Sequence, residues 1–317
     1  MIRVIKEADY GRAIEEEIIP SLKAVRTDDY FRSRDGTRLF YHIYKAEKAE
    51  RSVVIVHGFT SSSEKYEEMI WYFLNSGSDV YIYDQRGHAK SERKVADKTL
   101  THVDKFSEYV EDLESFVDCI VPKELPLYLY AHSMGGAIAG LYMEKHPDVF
   151  RRAVLSSPMI APSTGGYPAF LGRAICRAMI LFGGAKKRIF LSPEYPGKEK
   201  FENSCASSEP RFAHYEYFKR THEDYHNYSP TYRWTLESLK VYKKLMKKGA
   251  PEGIETEVLV FSAGRDTVVS LDAMKEFAER VPACRLIGYP EAKHEIYYST
   301  DEVMERYIPE VINFFKG

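Results

Sequence analysis

Three side chains that could together perform acyl transfer stand far apart along the chain. Ser133 lies in Ala131-His-Ser133-Met-Gly135-Gly136, after the apolar run 127–131 and before a helix-compatible run from Ala137 to Lys145. A serine between strand and helix, with small residues two before and two after it, is the pattern of a sharp turn that lifts the hydroxyl clear of the backbone. Larger flanking side chains would collide with the turn, and the serine's own backbone is strained there. A serine hydroxyl is a weak nucleophile at neutral pH. It needs a base within hydrogen-bond reach, and the base needs a carboxylate to fix its tautomer and stabilise its charged form. Asp266, in Ser262-Ala-Gly-Arg-Asp266, and His294, in Pro290-Glu-Ala-Lys-His294, each follow a short apolar run and supply the pair.

The developing oxyanion needs two donors. The Met134 N–H stands at the start of the following helix, where the helix N-terminus favours negative charge. The second is expected from the loop after the strand 52–56, in His57-Gly58-Phe59, where Gly58 lets the chain bend and the Phe59 N–H faces the site. Rival groups read as structural. Asp84 precedes Ser133 and reads as a loop-bracing ion pair with Arg86. His57 braces the oxyanion loop. His88 and His132 are further candidate bases, of which His132 adjoins the nucleophile and points elsewhere. His222-Glu223-Asp-Tyr-His226 matches H-E-x-x-H literally, but a zinc site needs both histidines on one helix and a third ligand. Asn227, Ser229 and Pro230 follow at once, so no metal is expected.

The elements that must position these residues alternate. Strands read at Tyr30-Phe31, 38–44, 52–56, 80–83, 127–131 and 152–156, the first two joined at Asp35-Gly36, with helices at 64–76 and 105–121 between later ones. Residues 11–24 read as a short amphipathic helix broken near Pro20. Alternation stops at Pro158 and resumes with a helix from about Trp234 to Lys248. The strands 257–261 and 285–289 and helices 271–281 and 303–315 follow. Strand alternating with helix means a mostly parallel sheet with right-handed crossovers. The nucleophile, acid, base order is that of the α/β-hydrolase fold. The expected architecture is a core of residues 1–158 and 234–317, with 159–233 as a mainly helical cap inserted after the sixth strand.

Composition excludes several classes. A formal net charge of −2, with 44% hydrophobic and 29% charged residues, gives no basic excess for a nucleic acid. The start Met-Ile-Arg-Val-Ile-Lys-Glu lacks a signal-peptide core, and no apolar run is long enough to span a bilayer. The four cysteines, Cys119, Cys176, Cys205 and Cys284, form no CxxC pair. They read as reduced thiols of a cytoplasmic protein, peripheral to the membrane at most.

His57-Gly-Phe, Tyr83-Asp-Gln-Arg-Gly-His88, Ala131-His-Ser-Met-Gly-Gly136, Ser157-Pro-Met159 and Lys293-His-Glu295 resemble the lysophospholipase and monoacylglycerol lipase group of serine hydrolases, from about residue 28 onward. Ser229-Pro-Thr-Tyr-Arg-Trp234 is similar to the end of that group's cap. The resemblance implies a Ser133, Asp266, His294 triad, oxyanion donors on Phe59 and Met134, no cofactor, and a monoacyl lipid ester as substrate. The stretch 170–182 is apolar nearly all round, which demands a core to pack on, a partner or a lipid. Phe170, Ile175 and Met179 are its candidate acyl-chain contacts. Lys186-Lys187-Arg188 reads as a solvated run or as a seat for an anionic headgroup or membrane surface. Two alternatives stand beside this reading. One is a small-ester or peptide hydrolase, the latter using Glu199, Glu202, Glu209 or Glu216 for a substrate amine. The other is a non-catalytic lipid- or ligand-binding protein.

Overall fold

The structure, a computed structural model, describes residues 2–317. Eight strands form one sheet: β1 (Arg26–Arg32), β2 (Arg38–Tyr44), β3 (Arg51–Val56), β4 (Ser78–Tyr83), β5 (Leu127–His132), β6 (Arg152–Ser156), β7 (Glu257–Ala263) and β8 (Cys284–Tyr289). Their order is β1-β2-β4-β3-β5-β6-β7-β8. Strand β2 runs antiparallel to both of its neighbours, and every other pair is parallel. The central strands β3, β4 and β5 are buried along their whole length, as parallel strands covered on both faces must be. Alternation along β3 shows the two layers. Val54 and Val56 face one core, with Tyr109, Leu113, Ile138 and Phe277. Val53 and Ile55 face the other, with Ile14, Ile70, Phe73 and Val311.

The flanking helices are α1 (Glu67–Asn75), α2 (Ser107–Cys119), α3 (Met134–Lys145), α4 (Ala169–Leu181), α5 (Glu209–Thr221), α6 (Tyr232–Leu245), α7 (Leu271–Arg280) and α8 (Asp301–Lys316). Helices α4 and α5 belong to the segment between β6 and α6. Helix α6 begins two residues before Trp234 because the Thr231 hydroxyl caps it, accepting from the Trp234 N–H. The short parallel pair Leu100–Thr101 with Ser229–Pro230 ties the end of that segment to the core.

The N-terminal helix is not broken at Pro20. It runs through Tyr10–Ala13, a wider π turn at Ile14–Ile18, and Ile19–Val25. The Ile19 N–H reaches back five residues to the Ile14 carbonyl. Pro20 then falls in the first turn of the renewed helix, where no N–H is required of it.

Candidate active site

The sheet delivers Ser133, Asp266 and His294 to one edge, because each lies just past the carboxyl end of a parallel strand. Ser133 follows β5 and precedes α3, with φ 54° and ψ −120°. That left-handed backbone is what a sharp elbow requires of a non-glycine residue. The glycines after it are required by close approach. A Cβ on Gly135 would stand 2.0 Å from the Val56 carbonyl oxygen, and one on Gly136 would stand 2.5 Å from Pro158 Cβ. Helix α3 is thereby pressed onto the end of β3.

His294 lies after β8, with Nε2 2.8 Å from Ser133 Oγ and Nδ1 2.6 Å from Asp266 Oδ2. A carboxylate only accepts, so the ring proton belongs on Nδ1, and Nε2 presents its lone pair to the hydroxyl. Asp266, after β7, is held by the N–H groups of Val268 and Val269, which donate to its Oδ1 at 2.8 and 3.1 Å. The Asp266 side chain is fully buried and that of His294 nearly so.

Gly58 brings the loop after β3 against the serine: a Cβ there would be 3.0 Å from Ser133 Cβ. Met134 is the first residue of α3, whose opening N–H groups have no intrahelical acceptor. Phe59 is fixed by Trp234 of α6, their ring centroids 4.1 Å apart. Sequence reasoning missed that contact, since only the fold brings 59 and 234 together.

The other histidines brace the loops. His57 Nε2 accepts from the Gln85 N–H at 2.8 Å, so its Nδ1–H donates to the Gly58 carbonyl. His88 Nε2 accepts from the Thr60 N–H at 3.3 Å. His132 turns Nδ1 to the Ser156 carbonyl at 3.0 Å, although its ring lies close to that of His294. Burial pulls all three below the usual imidazole range, which keeps them neutral. Asp84 does brace loops, but not by an ion pair with Arg86. It accepts from the backbone N–H groups of Ser63 and Lys90. Arg86 instead reaches Asp112, Glu108 and Asp35. Cys205, near the His294 loop, is no rival nucleophile, because burial pushes its thiol up to about 12.

The H-E-x-x-H stretch does not lie on one helix. Helix α5 ends at Thr221, and Glu223–Tyr225 form a separate short turn. Among the described residues no cluster of three or more His, Cys, Asp or Glu is poised for a metal. Phe170 and Ile175 are exposed on α4, and Met179 packs beside Cys176, Tyr232 and Leu236. The cavity beside His294 and Asp266 is lined instead by Cys205, Arg265 and Lys293, among others.

A sheet of this order, reversed only at β2 and carrying a strained serine after β5, makes the protein a hydrolase of the α/β-hydrolase class. A family model described as serine aminopeptidase, S33, matches residues 47–301, and the chain belongs to that family. It is 26% identical over 320 residues to the probable lysophospholipase L2 of Haemophilus influenzae, covering 98% of each chain. With lysophospholipase L2 of Escherichia coli K12 it shares 28% identity over 305 residues, 92% of this chain and 87% of that one. Among solved structures, a soluble variant of monoglyceride lipase from Saccharomyces cerevisiae superposes with a TM-score of 0.71 at 20% identity. The match covers 92% of this chain and 96% of that chain, a likeness of fold.

Proposed function

We propose that the protein is a serine carboxylic-ester hydrolase of monoacyl lipids, lysophospholipids or monoacylglycerols, working through an acyl-enzyme. The observation that carries this reading is the hydrogen-bonded chain from Asp266 through His294 to Ser133. His294 takes the Ser133 proton as the oxygen attacks the acyl carbonyl. The N–H groups of Met134 and Phe59 receive the oxyanion. His294 returns the proton to the departing alcohol, then takes one from the attacking water and passes it to the Ser133 oxygen as the fatty acid leaves. Asp266 holds the ring and stabilises it while charged. Each proton has a carrier among these side chains, so the cycle calls for no metal or cofactor.

The lipid part is supported by the relatives' names and by the apolar, exposed face of α4. Residues 159–233 are read as a cap. In support, the Glu295 N–H donates to the Cys205 carbonyl, the Lys293 N–H to Ser207 Oγ, and Tyr215 meets Ser62 across the oxyanion-side loop. The exposed part of this cap is the surface that meets a lipid bilayer. A peptidase reading is disfavoured by charge pairing. Glu199 is tied to Lys219, and Glu216 stands 3.7 Å from Arg220, so an amine arriving without an anion of its own would strand the cation it displaced.

A chain-length series of p-nitrophenyl esters, run beside lysophospholipid and monoacylglycerol, tests the proposal. Long acyl chains are expected to be preferred, with turnover lost in Ser133→Ala. Strict preference for acetate or butyrate, or faster cleavage of aminoacyl amides, would refute the lipid assignment.

A further inference from the structure

Between the oxyanion-side loop and α5 lies a second cavity of about 120 Å³, which no step above uses. It adjoins both loops that flank Ser133: Thr60, next to Phe59, and Glu295, next to His294, stand on its wall. The rest of the wall is strongly charged. Lys65 pairs with Glu295 and lies over the rings of Tyr215 and Tyr298, 5.0 and 5.2 Å from their centroids. Lys219 pairs with Glu199 at 2.5 Å and lies over Tyr195 and Tyr228, at 5.6 and 5.5 Å. Glu216 accepts from the Glu199 N–H at 3.3 Å and stands 3.7 Å from Arg220 Nε. Lys219 is so buried that desolvation draws its ammonium below the usual lysine range despite Glu199.

Buried ions persist only while partnered, so packing alone would favour hydrocarbon here. A glycerol hydroxyl can bond to these groups but neutralises none of them, and the wall sets two ammonium groups, Lys65 and Lys219, against three carboxylates, Glu199, Glu216 and Glu295. Arg220, outside the wall, offsets Glu216, so a ligand carrying one sign meets both attraction and repulsion there. A ligand carrying both signs can exchange partners without stranding a charge. Its phosphate takes the ammonium groups, and its own ammonium takes a carboxylate and a tyrosine face.

We propose that this cavity receives the leaving-group side of the substrate, and that Lys65, Lys219, Glu199 and Glu216 select a zwitterionic phospho-amine headgroup over uncharged glycerol. The proposal rests on the ester-hydrolase reading and narrows it to one substrate class.

The test compares kcat/KM for 1-oleoyl-glycerophosphoethanolamine and 1-oleoylglycerol in the same detergent micelles, using the full chain, Lys219→Met and Glu216→Gln. The wild type is expected to favour the phospholipid at least tenfold. Each variant is expected to cut that ratio at least fivefold, chiefly through the phospholipid. Glycerophosphoethanolamine should inhibit the wild type competitively. A wild-type ratio of one or less overturns the proposal, as does an unchanged ratio in a variant with a normal melting curve. Should Lys219→Met not fold, Glu216→Gln and the inhibition measurement decide. Labelling of Ser133 by a fluorophosphonate reads the hydrolase assignment separately: a protein that labels but shows no headgroup preference loses only the inference made here.

Discussion

Asp266 is asked to do two things at once, and one substitution separates them. Its Oδ2 faces His294 Nδ1 while its Oδ1 receives two backbone N–H groups. In Asp266→Asn the amide keeps the shape, but an amide nitrogen facing Nδ1 forces the ring proton to Nε2, the wrong side for taking a proton from Ser133. The expected result is a fall in kcat of about 10⁴-fold with the fold retained, read by ester turnover beside a melting curve. A fall below about tenfold would show that the carboxylate is not the orienting group. At this scale the site was largely legible. Ser133, Asp266 and His294 each follow a short apolar strand, and that placement is local information. What holds them was not legible. Trp234 reaches Phe59 only because α6 packs beside the loop after β3, and the proximity of Asp84 to Arg86 in sequence misled, because Arg86 extends to Asp112 on α2 instead.

Helix α3, which starts directly after Ser133, bears an unfavourable group at its end. Glu144 stands in the last turn, facing the negative end of the helix dipole, and its Oε1 is buried without a partner. Burial pushes its carboxyl up to about 8, with Arg280 opposing only in part. The sign follows from linkage. Between the ordinary value of 4.5 and about 8, the unfolded chain has lost this proton and the native one has not. Stability therefore falls as pH rises through that window and levels off above it. Glu144→Gln should match the wild type at pH 4 and exceed it at pH 8 by roughly 2 kcal/mol, less than the full shift because part of the side chain meets water. Urea unfolding at the two pH values measures the difference; equal curves at pH 8 would contradict the buried-acid account. Helix α5 shows why some elements escape sequence reading. It was not anticipated, because its inward side chains include Arg211, Glu216 and Lys219. Their burial depends on partners supplied by the fold, so a hydrophobic period does not mark the helix. The strands of the sheet, by contrast, carry their burial in their own apolar runs.

Across the whole molecule, apolar exposure and positive charge are concentrated in one place. Twelve large hydrophobic side chains are exposed among the described residues, and eight of them lie between Tyr167 and Leu191. From Met159 to Pro193 the chain has five lysines and arginines and no acidic residue, although its formal net charge is −2. The two halves of the stretch between β6 and α6 are held differently. Arg211 of α5 is fully buried and binds both oxygens of Glu68 at 2.9 and 2.8 Å and the Ile5 carbonyl at 2.7 Å. That half is bolted to the core. Helix α4 leans on α6 through Cys176 and leaves Leu181, Phe182 and Leu191 beside it in the open. No described helix is long and apolar enough to cross a bilayer. A basic apolar surface of this kind fits an anionic bilayer face, with the side chains immersed and the cations at the headgroups. Each wholly immersed Leu or Phe contributes about 1.5–3 kcal/mol, and each lysine or arginine near an anionic surface about 1 kcal/mol. Replacing Leu181, Phe182 and Leu191 with serine should therefore weaken sedimentation with phosphatidylglycerol vesicles by tenfold or more, even if immersion is partial. Replacing Lys186, Lys187 and Arg188 with glutamine should remove the preference for anionic over phosphatidylcholine vesicles while leaving weak, salt-insensitive binding. Equal binding of the wild type to both kinds of vesicle would mean that these cations face water and not lipid.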